Sequence, residues 1–180
     1  MAAVVFVRGV NVGGHKAFRP AVFAKELSAF EVVNIGAAGT FIVRKKVSLA
    51  TLRAELLRRL PVKAEFMICP ARDVVELMSA DPFPREGSVT GARRFVSVLA
   101  KPPSTAPRFP LSHPAGSAWQ VKLVGLRGCF VLSLWRRMGK TMVYPNEVVE
   151  KQLAISATTR NWDTISKIHD ILGGKGPDGS

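Results

Sequence analysis

Val32-Val-Asn-Ile-Gly-Ala-Ala-Gly-Thr-Phe-Ile-Val-Arg44 decides how the first half of this chain is read. Two runs rich in β-branched and aromatic residues, 32–35 and 40–44, flank Gly36 and Gly39. Those glycines reach the positive φ that a tight hairpin turn needs. Upstream, Pro20 suits the first turn of a helix, and Val22, Phe23, Leu27 and Phe30 form one apolar face. Before that helix, residues 3–7 are a β-branched run suited to a buried strand. Downstream, Ser48 is placed to cap a helix whose stripe is Leu49, Leu52, Leu56 and Leu60, and Pro61 ends it. Residues 64–69 make a further strand. Residues 2–70 therefore read β-α-β-β-α-β, the order of the ferredoxin-like plait, in which two helices cover one face of a four-stranded antiparallel sheet.

A short helix over 71–80 stops at Asp81-Pro82, and 82–92 is the best linker. The second half, 93–172, reads as a degraded echo of the first. A strand over 94–100 comes first, then a Pro-rich connection over 101–114. A hairpin of 119–124 and 128–135 turns at Gly125–Gly128, and helices follow over 145–153 and 161–172. Residues 173–180 read as a disordered tail. The fold class is α+β: a ferredoxin-like first half, then a related half of antiparallel strands covered by helices.

At 180 residues the chain is long enough for one large domain or two small ones. A chain of this size buries roughly 70% of its unfolded surface, so neither a disulfide nor a metal is required. Cys69 and Cys129 sit in apolar runs with no CxxC spacing and no nearby His, the pattern of buried thiols rather than of a zinc site. No metal or cofactor is expected. The N-terminus lacks the basic start and cleavage site of a signal peptide, and the longest uncharged apolar stretch, 32–43, is well short of the ~18 residues that span a bilayer. These features predict a cytoplasmic protein with no membrane association.

Twenty-six basic residues against 13 acidic ones give a formal charge of +13. Such an excess attracts phosphate-rich or otherwise anionic partners but carries no information about fold. It is equally what free use of solvated Arg would produce.

Arg8-Gly-Val-Asn-Val-Gly-Gly-His-Lys16 lies between a strand and a helix, where phosphate loops occur. It fails the G-x-x-x-x-G-K-[ST] test: His15 stands where Lys must be, and no hydroxyl follows Lys16. There is no GxGxxG. Two readings stand. Arg8, Asn11, Gly13, Gly14 and Lys16 make an anion nest of backbone amides and charge, or the glycines shape a tight crossover while Arg8 pairs with a carboxylate. Arg136-Arg-Met-Gly-Lys-Thr141 contains a GKT, but Leu134 occupies the first glycine position. Arg136, Arg137 and Lys140 remain a basic turn. Arg127-Gly-Cys-Phe-Val-Leu132 is the nearest approach to an RNP motif and misses it at Cys129, Phe130 and Val131. His15, His113 and His169 are scattered, and no nucleophile elbow or metal-spaced pair exists.

Ala157-Thr-Thr-Arg-Asn-Trp162 opens the C-terminal helix in this reading. Thr158 or Thr159 caps it, and its free amides make an anion site if Arg160 and Asn161 face outward. The alternative is a capped helix anchored by Trp162, with Arg160 in a structural salt bridge.

The pairing of Arg8-Gly-Val-Asn-Val-Gly-Gly14 with Ala157-Thr-Thr-Arg-Asn-Trp-Asp-Thr164 resembles the bacterial domain of unknown function 1697 family, and Glu150–Ala157 fits as well. The resemblance covers about residues 3–172. It implies a compact α+β fold and no catalytic roles, because the family has no assigned activity. This chain departs from the family at 34–40, where many members carry a Tyr-Ile-Gln-Ser-Gly-Asn-Val turn. Any family site that uses those polar groups is altered here.

The leading expectation is a protein that binds a phosphate-bearing partner, nucleic acid above all. Arg8, Asn11, Gly13, Gly14, Lys16, Thr158, Thr159, Arg160 and Asn161 supply the specific contacts, and Arg136, Arg137 and Lys140 supply non-specific attraction. The alternatives are an enzyme acting on a small anionic metabolite, with Arg8 and Arg160 as the clamp and His15 or Asp163 as acid/base, and a purely structural or subunit-interface role for both motifs.

Overall fold

A computed structural model describes residues 2–9, 18–60, 64–83, 91–140 and 142–173. The chain divides into two compact units, residues 1–76 with 167–180, and residues 77–166.

In the first unit the elements run β1 (Ala3–Arg8), α1 (Pro20–Glu26), a 3-10 turn (Ser28–Phe30), β2 (Val32–Asn34), β3 (Thr40–Val43), α2 (Leu49–Arg59) and β4 (Glu65–Pro70), with α3 (Ala71–Ser79) following directly. The β-α-β-β-α-β order read from the sequence is the order observed. The strands form one antiparallel sheet in the order β2-β3-β1-β4. β1 is interior and buried on both of its faces, as its unbroken apolar run requires. Ala3, Val5 and Val7 share a core with Phe23 and Leu27 of the α1 region and with Leu52 and Leu56 of α2. Gly36 and Gly39 take φ of 72° and 69° in the β2–β3 turn. Ser48 caps α2, its hydroxyl accepting from the Thr51 amide at 3.0 Å.

The predicted apolar face of α1 is only partly realised, because Val22 is exposed. The helix has seven residues and gives way to the 3-10 turn, which Glu31 closes at φ 54°. The 3.6-residue spacing therefore does not continue from Val22 to Phe30.

The second unit holds β5 (Arg93–Leu99), β6 (Leu111–His113), β7 (Val121–Arg127), β8 (Phe130–Trp135), α4 (Pro145–Leu153) and β9 (Ala157–Asn161), and α5 (Trp162–Ile171) starts in it. Its sheet is antiparallel in the order β6-β7-β8-β5-β9. Leu99, Val121, Leu123 and Val131 pack with Val148 and Val149 of α4.

Three expectations for this half need correction. The Pro-rich connection contains β6, a three-residue strand beside β7; it is too short to show periodicity, and its flanking prolines suit only a sheet edge. The hairpin turns at Gly128-Cys129 rather than at Gly125–Gly128, with Arg127 opposite Phe130 and Gly128 at φ 55°. This is a two-residue turn with glycine first. Gly125 instead follows a register shift within β7, a bulge that leaves Val124 without an opposite residue. Cys129 therefore sits in a turn, half-buried, while Cys69 is buried in β4. The third correction, at β9, concerns the candidate site.

Most of the predicted linker, residues 84–90, and residues 174–180 of the predicted tail lie outside the described residues.

Candidate functional site

The C-terminal motif is a strand that runs straight into a helix. Ala157–Asn161 forms β9, an edge strand antiparallel to β5, and α5 begins at Trp162. Thr158 and Thr159 therefore do not cap the helix. β-branched residues fit a pleated strand as readily as a cap, and pairing with β5 decides the outcome. Thr159 lies opposite Ser97, and their hydroxyls are 2.6 Å apart. The capping role falls to Asn161, whose Oδ1 accepts from the Thr164 amide at 2.9 Å and its hydroxyl at 2.6 Å.

Alternation along β9 sends Thr158 and Arg160 to one face, where both are buried. The Arg160 guanidinium donates to Thr158 Oγ1 at 2.8 Å and to the Thr159 carbonyl at 2.9 Å. Burial pulls its pKa down to about 10, since leaving water disfavours the charged form. At neutral pH it stays a cation.

Asn161, Trp162 and Asp163 behave differently. With Ala92, Arg93, Arg94 and Phe95 of the facing segment they line a cleft of about 480 Å³. β5 and β9 meet there, Phe95 lying opposite Asn161. Arg93, Arg94, Asn161 and Asp163 are exposed, and Phe95 and Trp162 are half-buried. Trp162 meets the buried Phe83 edge-on at 5.0 Å between centroids, and Arg94 lies 5.3 Å from the same ring. Phe95 is similarly braced by Trp135 at 6.2 Å. Arg93 and Asp163 share the cleft without a salt bridge to any described residue.

The sequence singled out Asn161 and Asp163 but missed Arg93, Arg94 and Phe95. A signal was present: an Arg doublet and an aromatic open a strand just after Gly91.

Arg8 is engaged elsewhere. It stands opposite Glu65 on β4 and donates to that carboxylate at 2.6 Å. Asn11, Gly13, Gly14, His15 and Lys16 lie outside the described residues. In the basic turn, Arg136 is held by the carbonyls of Trp119 and Ser117 and lies 4.0 Å from the centroid of the Trp119 ring. Arg137 and Lys140 are exposed. Phe41 and Phe130 are buried, so neither offers a ring to a base. Among the described residues no three His, Cys, Asp or Glu side chains group as metal ligands, and no helix is long and apolar enough to cross a membrane.

A family model described as protein of unknown function (DUF1697) matches residues 1–126. The chain belongs to this family. The span ends before Ala157, so the β9–α5 motif lies beyond it. A conserved bacterial protein of Streptococcus pneumoniae has a similar solved structure. The two chains are 18% identical, with 95% of this chain and 98% of that one covered and a TM-score of 0.60. At that identity the likeness is one of fold. No curated protein matches the chain.

Proposed function

We propose that this family member binds a phosphate-bearing partner, nucleic acid, through the cleft at the start of β5 and the β9–α5 junction. The observation that carries the reading is the Arg93-Arg94 pair, exposed beside half-buried Phe95 and Trp162 in one cleft. Cations that follow a phosphate backbone and rings that accept a base are the two ingredients of single-strand binding. The volume falls within the ordinary range for ligand sites, about 300–1,000 Å³. Exposed Arg137 and Lys140 and the formal charge of +13 add non-specific attraction. For Arg8 and Arg160, two residues of the expected anion site and the clamp of the alternative enzyme reading, we favour the structural alternative: one is paired with Glu65, the other buried and bonded along β9.

The test is fluorescence anisotropy with labelled oligonucleotides over a salt series. If about four phosphates are neutralised, log K falls against log salt with a slope near −3.6 on duplex and −2.8 on single strands. A flat response, or no binding at about 50 mM salt, overturns the reading.

A second reading, an enzyme acting on a small anionic metabolite, is favoured by one feature, the Asp163 carboxylate beside Arg93 in the cleft. It predicts that small phosphorylated or carboxylated metabolites protect the protein against heat where oligonucleotides do not.

A further inference from the structure

Asp163 is the wrong charge for a site that only holds phosphate. Its carboxylate is exposed in the same cleft as Arg93 and Arg94, and no described cation neutralises it. As the acidic residue of the first turn of α5 it favours the helix dipole. That role, however, leaves an exposed negative charge in the cleft lining, where it repels an anion. An ionised carboxylate only accepts hydrogen bonds. The ligand that satisfies this lining therefore carries an anion at one end and a pair of donors at the other.

We infer that the cleft takes a guanine nucleotide, its phosphate on Arg93 and the Watson–Crick edge of its base on Asp163. This rests on the phosphate-binding reading above and adds the identity of the base. Guanine presents N1–H and N2–H side by side, a match for the two oxygens of one carboxylate, and such charge-assisted paired bonds are stronger and more specific than single ones. Adenine and cytosine set a ring-nitrogen acceptor beside their amino group, which opposes the second oxygen. Uracil and thymine offer one N–H between two carbonyls. Phe95 and Trp162 supply apolar ring surface for the base, and Asn161 is held in place by its bonds to Thr164.

The experiment is calorimetric titration of the full chain with GMP, AMP, CMP, UMP and ribose 5-phosphate, repeated with Asp163→Asn and Arg93→Ala. The wild type is expected to bind GMP at least tenfold more tightly than the other four. Asp163→Asn should bring GMP down to their level, and Arg93→Ala should weaken all five together. Equal binding of all five overturns the guanine assignment and leaves phosphate binding standing. Binding of none of them, with oligonucleotides also unbound, overturns both. A lowered Tm in Asp163→Asn with the preference for GMP retained overturns the role of Asp163, which is then a helix-dipole residue only.

Discussion

Arg8 and Arg93 hold comparable positions in the two sheets, at an end of an interior strand, yet they meet different neighbours. Arg8 closes β1 opposite Glu65 and is neutralised by it. Arg93 opens β5 opposite Trp135, with Arg94 opposite Leu134, so neither finds a carboxylate across the ladder. Whether either arginine has a carboxylate to pair with across the ladder is thus set by the residue facing it on the next strand. Arg160 is engaged in another way: it faces Val96 on β5, its face of β9 is buried, and it hydrogen-bonds Thr158 and Thr159 of its own strand.

The comparison breaks most visibly if Arg160 proves to be a ligand residue. Arg160→Ala removes the hydrogen bonds to Thr158 and Thr159 and leaves a cavity, so it should cost about 2–4 kcal/mol by denaturant titration. Unchanged stability with lost binding would reverse the assignment. Next in size, Arg93→Ala with Arg94→Ala should weaken oligonucleotide binding at least tenfold, about 1.4 kcal/mol. The same pair should reduce the slope of log K against log salt by about 1.8 on duplex. Arg8→Ala, measured alongside, should change affinity less than about twofold while lowering stability by about 0.2–1 kcal/mol, as for an exposed ion pair. Equal loss of binding from Arg8→Ala would erase the contrast.

The smallest effect concerns Glu55 on α2. The side-chain bonds of Arg58 and then Arg59 hold its pKa below the usual 4.5. A carboxylate depressed in the folded state stabilises above its unfolded pKa, and that part is lost as pH falls through the folded value. Thermal melts of Glu55→Gln should therefore show a shallower decline below about pH 4.5 than the wild type.

How much of this was legible depended on how local each determinant is. The first unit was readable because its signals lie within a few residues of what they specify. Ser48 caps α2 three residues before the amide it satisfies, and Gly36 and Gly39 frame their own turn. In the second unit the decisive contacts are distant in sequence. β9 is a strand because Ser97 and the rest of β5 pair with it, some 62 residues away. Thr158 and Thr159 taken alone suit a helix cap equally well. The candidate cleft was half legible for the same reason: Asn161 and Asp163 lie in a conspicuous motif, whereas Arg93 and Arg94 gain meaning only when β5 is laid beside β9.

The passage from β9 to α5 has no intervening loop, since Asn161 ends the strand and Trp162 begins the helix. Chain length across this joint therefore works as an indexing mechanism. One residue inserted after Asn161 would rotate the start of α5 by about 100° and advance it about 1.5 Å. Asp163 and Trp162 would swing out of the cleft while the sheet stayed intact. A single-residue insertion there should act as a clean off-switch for whatever the cleft binds.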